Sequence, residues 1–140
     1  MSKKHHSPPR PPGEGSGVRA PGRFAYEGLD RVIHEKARLS IVTSLATHSG
    51  GLIFNDLKEL CALTDGNLSR HLQILSEAGL IQIWKGSKDN RPQTLCVLTA
   101  EGRKRFIEYV TVLENIVTDA VGAEKAPVEE PKLSKGWSPA

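Results

Sequence analysis

The 140-residue sequence has little cysteine and no long apolar run. Its two cysteines, Cys61 and Cys96, are far apart and form no CxxC or CxC motif. Isolated cysteines of this kind are typical of small buried side chains in a reducing compartment and argue against a disulfide framework. No stretch approaches the roughly eighteen apolar residues of a membrane-spanning helix. The first residues lack the apolar run of a signal peptide, so we expect a soluble cytoplasmic protein without a membrane partner.

Patterns associated with catalysis and metal binding are also missing. The sequence contains no glycine-rich phosphate loop, no paired carboxylates in an apolar setting, and no Ser, His and Asp set that the expected fold would bring together. Among the five histidines and two cysteines, only His5 and His6 are adjacent, and the others have no ligand spacing. We therefore expect no enzymatic activity, no cofactor and no metal site.

The net charge of +3 is confined to one end of the chain. Residues 1–27 contain five Lys or Arg and two Asp or Glu, whereas residues 28–121 contain eleven of each and residues 122–140 contain three of each. The middle of the chain is therefore neutral overall. Any attraction of this part for a polyanion must come from basic side chains clustered on one face.

Proline and glycine divide the chain into three segments. Five prolines and four glycines lie within residues 7–22, with almost no large apolar side chain, so this stretch cannot offset the entropy of ordering. We expect residues 1–25 to form a disordered basic arm with partly polyproline-like character. Gly122 and the prolines after it are expected to end the last helix and to leave residues 122–140 as a disordered tail. Residues 26–121 then form the single folded domain.

Apolar residues at spacings of three and four predict two scaffold helices. The first extends over residues 29–45, with an interruption near His34 left open, and stops at Gly50-Gly51. Residues 52–54 are a short strand-like run. The second helix follows, capped by Asn55 or Asp56. Its inward-facing residues are expected to be Leu57, Leu60, Cys61 and Leu63.

A third helix and a hairpin follow. The hydroxyl of Thr64 can accept a hydrogen bond from a backbone N–H one turn later and so cap the helix, and Gly79 can end it in the left-handed conformation. The buried stripe of this helix consists of Leu68, Leu72, Leu75 and Ala78. The runs 80–84 and 94–98 alternate as strands around a polar turn over 85–93. This order predicts a mainly α fold with a small β-hairpin (α+β), a winged helix-turn-helix.

The exposed face of the third helix and the tip of the hairpin have side chains suited to DNA. On the helix these are Asp65, Asn67, Ser69, Arg70 and Gln73, near the end where a groove-docking helix presents base-reading groups. The tip has Lys85, Lys88 and Arg91 against a single acid, Asp89. Lysines can hold phosphates, whereas Arg91 can enter a narrow minor groove with Asp89 holding its side chain in position. The pattern therefore predicts a reader of duplex DNA.

These motifs resemble the winged-helix regulators related to the multiple-antibiotic-resistance regulator (MarR) family, and most of all its short relatives that consist of the DNA-binding domain. The similar segments, within residues 26–121, are Leu68-Ser69-Arg70-His71-Leu72, Gly79-Leu80, Asp89-Asn90-Arg91 and Leu98-Thr99-Ala100-Glu101-Gly102-Arg103. The first of them also occurs in the arsenic-type metal-sensor (ArsR) family. The resemblance implies a dimeric, nucleoid-associated transcription factor, with Asn67, Ser69, Arg70 and Gln73 reading the major groove and Arg91 the minor groove. Full-length members have long helices on both sides of the winged domain, whereas here the segment before Tyr26 is rich in proline, so the sequence identifies no small-molecule effector.

The last predicted helix, residues 100–121, provides a surface for a homodimer. Its apolar positions follow a 4-3-4-3 spacing, and the stripe is longer than one small winged domain can bury. We expect a two-fold interface formed by Phe106, Tyr109, Val110, Leu113, Ile116 and Val117. Packing of this stripe wholly inside one chain stays open as an alternative.

Two other functions also stay open. A winged helix can bind another protein instead of DNA, because a fold does not fix a function. The similarity to the ArsR family leaves a metal-responsive repressor as a further alternative. The polar exposed face of the third helix and the basic hairpin favour DNA binding over protein binding. The histidines and cysteines lack metal-ligand spacing, which argues against a metal-responsive repressor.

Overall fold

The computed structural model describes residues 21–124 and 127–140. Within these residues the elements are α1 Lys36–Ala46, β1 Leu52–Ile53, α2 Phe54–Cys61, α3 Asp65–Glu77, β2 Ile81–Lys88, β3 Arg91–Leu98 and α4 Ala100–Glu124. The strands form an antiparallel sheet in the order β1-β3-β2, so β3 lies between the other two. The predicted α+β class and winged helix fold, with a long C-terminal helix, are confirmed.

A hydrophobic core lies between the helices and the sheet. Of the predicted stripe of α3, Leu68, Leu72 and Leu75 are buried in this core, and Ala78 is half-buried against it. Buried side chains from the other elements include Ile41, Val42, Leu45, Leu57, Ile81, Cys96, Leu98 and Tyr109. Burial of one side of α3 fixes the rotation of the helix and turns its polar side outward.

Both cysteines are free thiols, as the sequence predicted. Cys96 is fully buried, and burial raises the pKa of its thiol to about 11. Cys61 is half-buried, and burial raises the pKa of its thiol as well. Since the thiolate is the reactive form, burial lowers the reactivity of both thiols relative to an exposed cysteine.

Helix α1 begins later than residue 29, where the apolar spacing predicted its start. The residues before it form turns held by Asp30, whose carboxylate accepts hydrogen bonds from two backbone N–H groups. Glu35 is the N-cap of the helix and accepts a hydrogen bond from the N–H of Arg38 at 2.9 Å. Ile33 is fully buried in this segment, so an apolar side chain at helical spacing reaches the core without being part of a helix.

Helix α2 differs from the prediction in its cap and in its inner side. Its N-cap is Ile53, which makes no side-chain capping hydrogen bond, and the predicted caps at residues 55 and 56 lie inside the first turn. Leu57 is fully buried, but Leu60 is 58% exposed, so the prediction that Leu60 faces inward is wrong. Leu57 and Cys61 define the inner side, and at about 100° per residue Leu60 lies roughly 80° from its middle.

Strand pairing extends further along the hairpin than predicted. The strands β2 and β3 are paired as far as Lys88 and Arg91, and the turn consists of Asp89-Asn90, with φ of 53° and 63°. Positive φ at both central residues makes this a type I′ turn, which Asn and Asp adopt more readily than other non-glycine residues. The prediction of a turn over 85–93 is wrong because most of these residues are exposed on both faces of the hairpin and show no apolar alternation.

Helix α4 extends to Glu124, beyond its predicted end at Val121. Gly122 lies inside the helix, because a single glycine in an exposed helix costs only about 1 kcal/mol and keeps its backbone hydrogen bond. Residues 127–140 contain no helix or strand and are exposed. Most of the predicted arm, residues 1–20, lies outside the described residues. None of the described helices is both long and apolar enough to cross a membrane.

Candidate nucleic-acid interface

Helix α3 begins and ends where the sequence predicted. The Thr64 hydroxyl accepts a hydrogen bond from the N–H of Asn67 at 3.2 Å. At the other end Gly79 has a φ of 81°, and the N–H groups of Gly79 and Leu80 donate to carbonyl oxygens of the last turn, each at 3.0 Å. This pair of hydrogen bonds is a Schellman motif. The caps therefore define a helix of 13 residues, about 20 Å long.

The outer face of α3 exposes every contact residue predicted on this helix: Asp65, Asn67, Ser69, Arg70 and Gln73. At about 100° per residue, Ser69, Gln73, Arg70 and Asn67 follow one another around an arc of roughly 160°. Ser69 and Gln73 are on the side that faces the hairpin, and Asn67 is on the far side. The helix thus presents a convex row of hydroxyl, amide and guanidinium groups, which are the donors and acceptors that match base edges.

Asp65 is paired with a lysine that the sequence did not identify. Its Oδ1 lies 2.8 Å from Nζ of Lys58 on α2. Because the Asp65 side chain is 73% exposed, this ion pair contributes at most about 1 kcal/mol of stability. Its main effect is to hold an ammonium group beside the N-terminal end of α3, where a phosphate is also favoured. Lys58 was not predicted because its partner lies on another helix, at no recurring sequence spacing.

A groove separates α3 from the hairpin. Its floor is apolar, with Phe54, Leu72 and Ile83, and its walls include Ser69, Gln73, Lys85 and Thr94. The structure therefore brings together three predicted contact residues from two elements, namely Ser69, Gln73 and Lys85. The side-chain amide of Gln73 donates to Oε2 of Glu77 at 3.1 Å, one turn further along the helix, and this hydrogen bond orients the amide along the groove.

The tip of the hairpin exposes two cations side by side. Lys88 and Arg91 form the last cross-strand pair, and both are exposed. Among the ion pairs of the described residues none joins Asp89 to Arg91, so the predicted orienting role of Asp89 is not observed. Asp89 instead forms the first half of the type I′ turn. The tip is narrow as a result, which suits a guanidinium that enters a narrow groove.

His71 packs against α1 and is not part of the exposed face. Its residue is 8% exposed, and Nδ1 lies 3.2 Å from Nη1 of Arg38 and 3.9 Å from Oε1 of Glu35. Because a guanidinium only donates, Nδ1 of His71 is the acceptor in the contact with Arg38. The pKa of Glu35 is below its usual value, mainly because its carboxylate accepts a hydrogen bond from the backbone N–H of Arg38. Arg38, which the sequence did not identify, therefore links α1 to the inner flank of α3.

The Leu-Thr-x-x-Gly motif at the start of α4 joins this helix to the end of α3. The hydroxyl of Thr99 accepts from the N–H of Gly102 at 2.8 Å and lies 2.8 Å from the carbonyl oxygen of Gly79. The N–H of Thr99 also donates to the carbonyl oxygen of Leu80 at 2.9 Å. A Cβ atom at position 102 would overlap with that same carbonyl, so only glycine permits this close approach.

The residues predicted for a dimer interface divide into two groups along α4. Tyr109 is 1% exposed, and its hydroxyl lies 2.6 Å from Nδ1 of His34. Tyr109 therefore belongs to the core of its own chain, and the prediction that it lies in a dimer interface is wrong. Burial also raises the pKa of its hydroxyl. Phe106, Val110 and Leu113 are half-buried against the same core. Ile116 is half-buried as well, whereas Val117 is 58% exposed.

The segment before α1 covers one side of the second half of α4. The Tyr26 hydroxyl donates to Oδ2 of Asp119 at 2.6 Å, and Arg23 lies 3.5 Å from Oδ1 of the same carboxylate. The hydrogen bond from Tyr26 holds the pKa of Asp119 below its usual value. Gly28 packs against Val112, where a Cβ atom would leave too little space.

Within the described chain, no cluster of three or more His, Cys, Asp or Glu side chains could hold a metal ion.

Comparison with known sequences adds a family. The sequence model of the family described as "Winged helix DNA-binding domain" matches residues 37–117. An uncharacterised protein of Methanocaldococcus jannaschii is 42% identical over 57 residues, which make up 41% of this chain and 62% of that protein. The match therefore spans less than two thirds of the relative's length.

Solved structures have the same fold. A transcriptional regulator homologue from Pyrococcus horikoshii OT3 gives a TM-score of 0.63 at 23% identity, over 69% of this chain and 95% of that one. MepR of S. aureus, in a complex with DNA, gives a TM-score of 0.58 at 22% identity, over 71% of this chain and 82% of that one. At these identities the likeness confirms the fold that the motifs predicted.

Proposed function

Since the chain belongs to the winged helix DNA-binding domain family, we propose that it is a sequence-specific transcriptional regulator that binds double-stranded DNA as a homodimer. In this proposal α3 lies in the major groove and the tip of the hairpin lies at the minor groove. A regulator of this kind acts at the nucleoid, in the cytoplasm.

The observation that supports this proposal most directly is the polar row of α3 beside a basic hairpin. We assign base contacts to Asn67, Ser69, Arg70 and Gln73, with Asp65 at the edge of the row. Lys85 and Lys88, together with Lys58 on α2, are suited to phosphates, and Arg91 is suited to the minor groove. These cations supply a local positive surface on a body that is neutral overall.

The exposed second half of α4 supports the homodimer. Val117 is 58% exposed and Val121 is 45% exposed, and they continue the half-buried stripe of Leu113. Large apolar side chains exposed in one row are typical of an interface. In a two-fold assembly Phe106, Val110 and Ile116 would lie along the margins of the contact, and two copies of α3 would reach two half-sites of DNA.

DNA binding is tested by titrating duplexes of mixed sequence at several salt concentrations. We expect the association constant to fall as salt rises, with a log–log slope of about −0.9 for each phosphate neutralised. If the protein does not bind DNA at low salt, or if the slope is zero, the proposal is contradicted. Such a result would favour a function in binding another protein. A response of DNA affinity to added metal would instead support the metal-responsive alternative.

Sequence recognition is tested with Arg70→Ala and a DNA site selected from a random pool. If Arg70 contacts a base edge, the variant should lose about 1–3 kcal/mol at the selected site and discriminate less between sites. Lys104→Ala is the control, because Lys104 lies on α4 and pairs with Glu108 at 3.7 Å. Equal losses on all sequences would reassign Arg70 to a phosphate.

A further inference from the structure

The three carbonyl groups that directly follow α3, at its C-cap and the next two residues, accept hydrogen bonds from Arg105 of α4 or from Thr99 at the start of α4. Nη1 of Arg105 donates to the carbonyl oxygen of Ala78 at 3.2 Å. The Thr99 hydroxyl lies 2.8 Å from the carbonyl of Gly79 and 3.0 Å from that of Leu80. The last carbonyls of a helix have no partners inside it, and cations are favoured there by the helix dipole. The last turn of α3 has no basic residue of its own, so Arg105 supplies this charge from another helix.

The guanidinium of Arg105 is itself held by Asp30. Its Nε and Nη2 each lie 2.8 Å from Oδ2 of Asp30. The other carboxylate oxygen of Asp30 accepts hydrogen bonds from the N–H groups of Val32 at 2.9 Å and Ile33 at 3.3 Å. The two charged side chains are only 25% and 17% exposed, so solvent screens this pair less than a surface ion pair. Arg105 therefore joins α3, α4 and the segment before α1 at one point.

We propose that Arg105 is a positioning residue for DNA recognition, which fixes the angle between α3 and α4 through Ala78 and Asp30. This inference rests on the proposed function, since α4 connects the two recognition helices of a dimer in that proposal. A base-reading contact depends on the angle at which α3 enters the groove, whereas contacts to phosphates carry no sequence information and supply most of non-specific binding. The expected consequence of losing Arg105 is a loss of sequence discrimination with little loss of non-specific binding.

The first test measures the position of α3 without DNA. Spin labels at Glu77→Cys on α3 and Glu114→Cys on α4 report their distance within one chain, in a Cys61→Ala background diluted with unlabelled protein. Arg105→Met, which keeps the aliphatic stem, should broaden the distance distribution. Arg103→Met is the matched control, because Arg103 is an exposed arginine of the same helix. A distribution for Arg105→Met as narrow as that of the control would overturn the proposal.

The second test compares binding to a selected site and to unrelated duplex DNA, well below the melting temperature. Arg105→Met should reduce the ratio of specific to non-specific affinity roughly tenfold, whereas Arg103→Met should leave it unchanged. Arg105→Lys can still pair with Asp30 and should retain part of the ratio of specific to non-specific affinity. This variant also tests the proposal if Arg105→Met does not fold. A lower melting temperature with an unchanged ratio would mean a stabilising role alone and overturn the proposal. If the unmodified protein does not bind DNA, the proposed function fails, and the label distances still decide whether Arg105 fixes α3.

Discussion

Position 102 has room for a hydrogen atom and for little else. A Cβ atom there would overlap with the carbonyl oxygen of Leu80 and would lie 2.9 Å from Cδ1 of Leu98. Gly102→Ala should therefore lower the free energy of unfolding by about 1–3 kcal/mol, measured by urea denaturation. Gly66→Ala is the control, because a Cβ atom at that exposed position of α3 meets nothing within 4 Å. Similar effects of the two variants would contradict the close approach of α4 to the end of α3.

Glu35 gives the stability of the fold a dependence on pH. Its pKa is lowered from the usual value of 4.5, chiefly by the N–H of Arg38, so its ionised form is favoured in the folded state. The stabilisation is fully present above the unfolded pKa and is lost as the pH falls through the folded pKa. Glu35→Gln should therefore be less stable than the unmodified protein at about pH 7. Denaturation at a series of pH values should show this difference shrinking below about pH 4.5, and a constant difference would contradict the capping role.

The roles of single residues could be predicted from the sequence where their hydrogen-bond partners are close along the chain. Thr64 and Gly79 were identified as caps because a cap contacts its own helix within a few residues. Lys58, Arg38 and Arg105 were not identified, because each contacts a group on another element, and one sequence contains no record of such distances. The exposed polar face of α3 was accessible to prediction because burial of one helix face determines which residues form the other.

The hairpin shows how an element depends on its turn. Asn90 has a φ of 63°, which a β-branched side chain adopts only with strain. Asn90→Val should destabilise the hairpin by about 1–2 kcal/mol, whereas Asn90→Gly should be tolerated, because glycine adopts positive φ freely. Hydrogen exchange of the β2 and β3 amides would measure the opening of the hairpin in both variants. Equal protection in the two variants would contradict the type I′ turn.

The order of the elements was predictable from the sequence, but several of their boundaries were not. Ile33 occupies a helical spacing and is buried, yet it lies in a turn before α1, because only the spacing and not the backbone conformation is visible in the sequence. The hairpin was predicted too short because the outer halves of its strands are paired without showing the apolar alternation of a strand. Its outer half, from Lys85 onward, is exposed and has no apolar alternation, although its strands are fully paired.

The proposed homodimer depends on which apolar residues of α4 remain uncovered by their own chain. The spacing of the stripe could not separate the two cases, because a residue facing the core and one facing a second copy follow the same helical period. Tyr109 is in the core, where its hydroxyl meets His34, and Val117 is exposed. The surface available to a second copy therefore lies toward the C-terminal half of the helix, around Val117 and Val121.

A charge in the middle of this surface should separate the two copies. Val117 is followed by Val121 and preceded by Leu113 at the helical spacing of four, so Val117→Glu places a carboxylate within an apolar row, where burial without a partner is costly. The dimer dissociation constant, measured by sedimentation equilibrium, should rise roughly a hundredfold. Ile107→Glu is the matched control, because Ile107 is 57% exposed against 58% for Val117, and Thr111 follows it on the same side of the helix. Equal weakening by the two variants would place the interface elsewhere on α4, and a monomeric unmodified protein would contradict the homodimer itself.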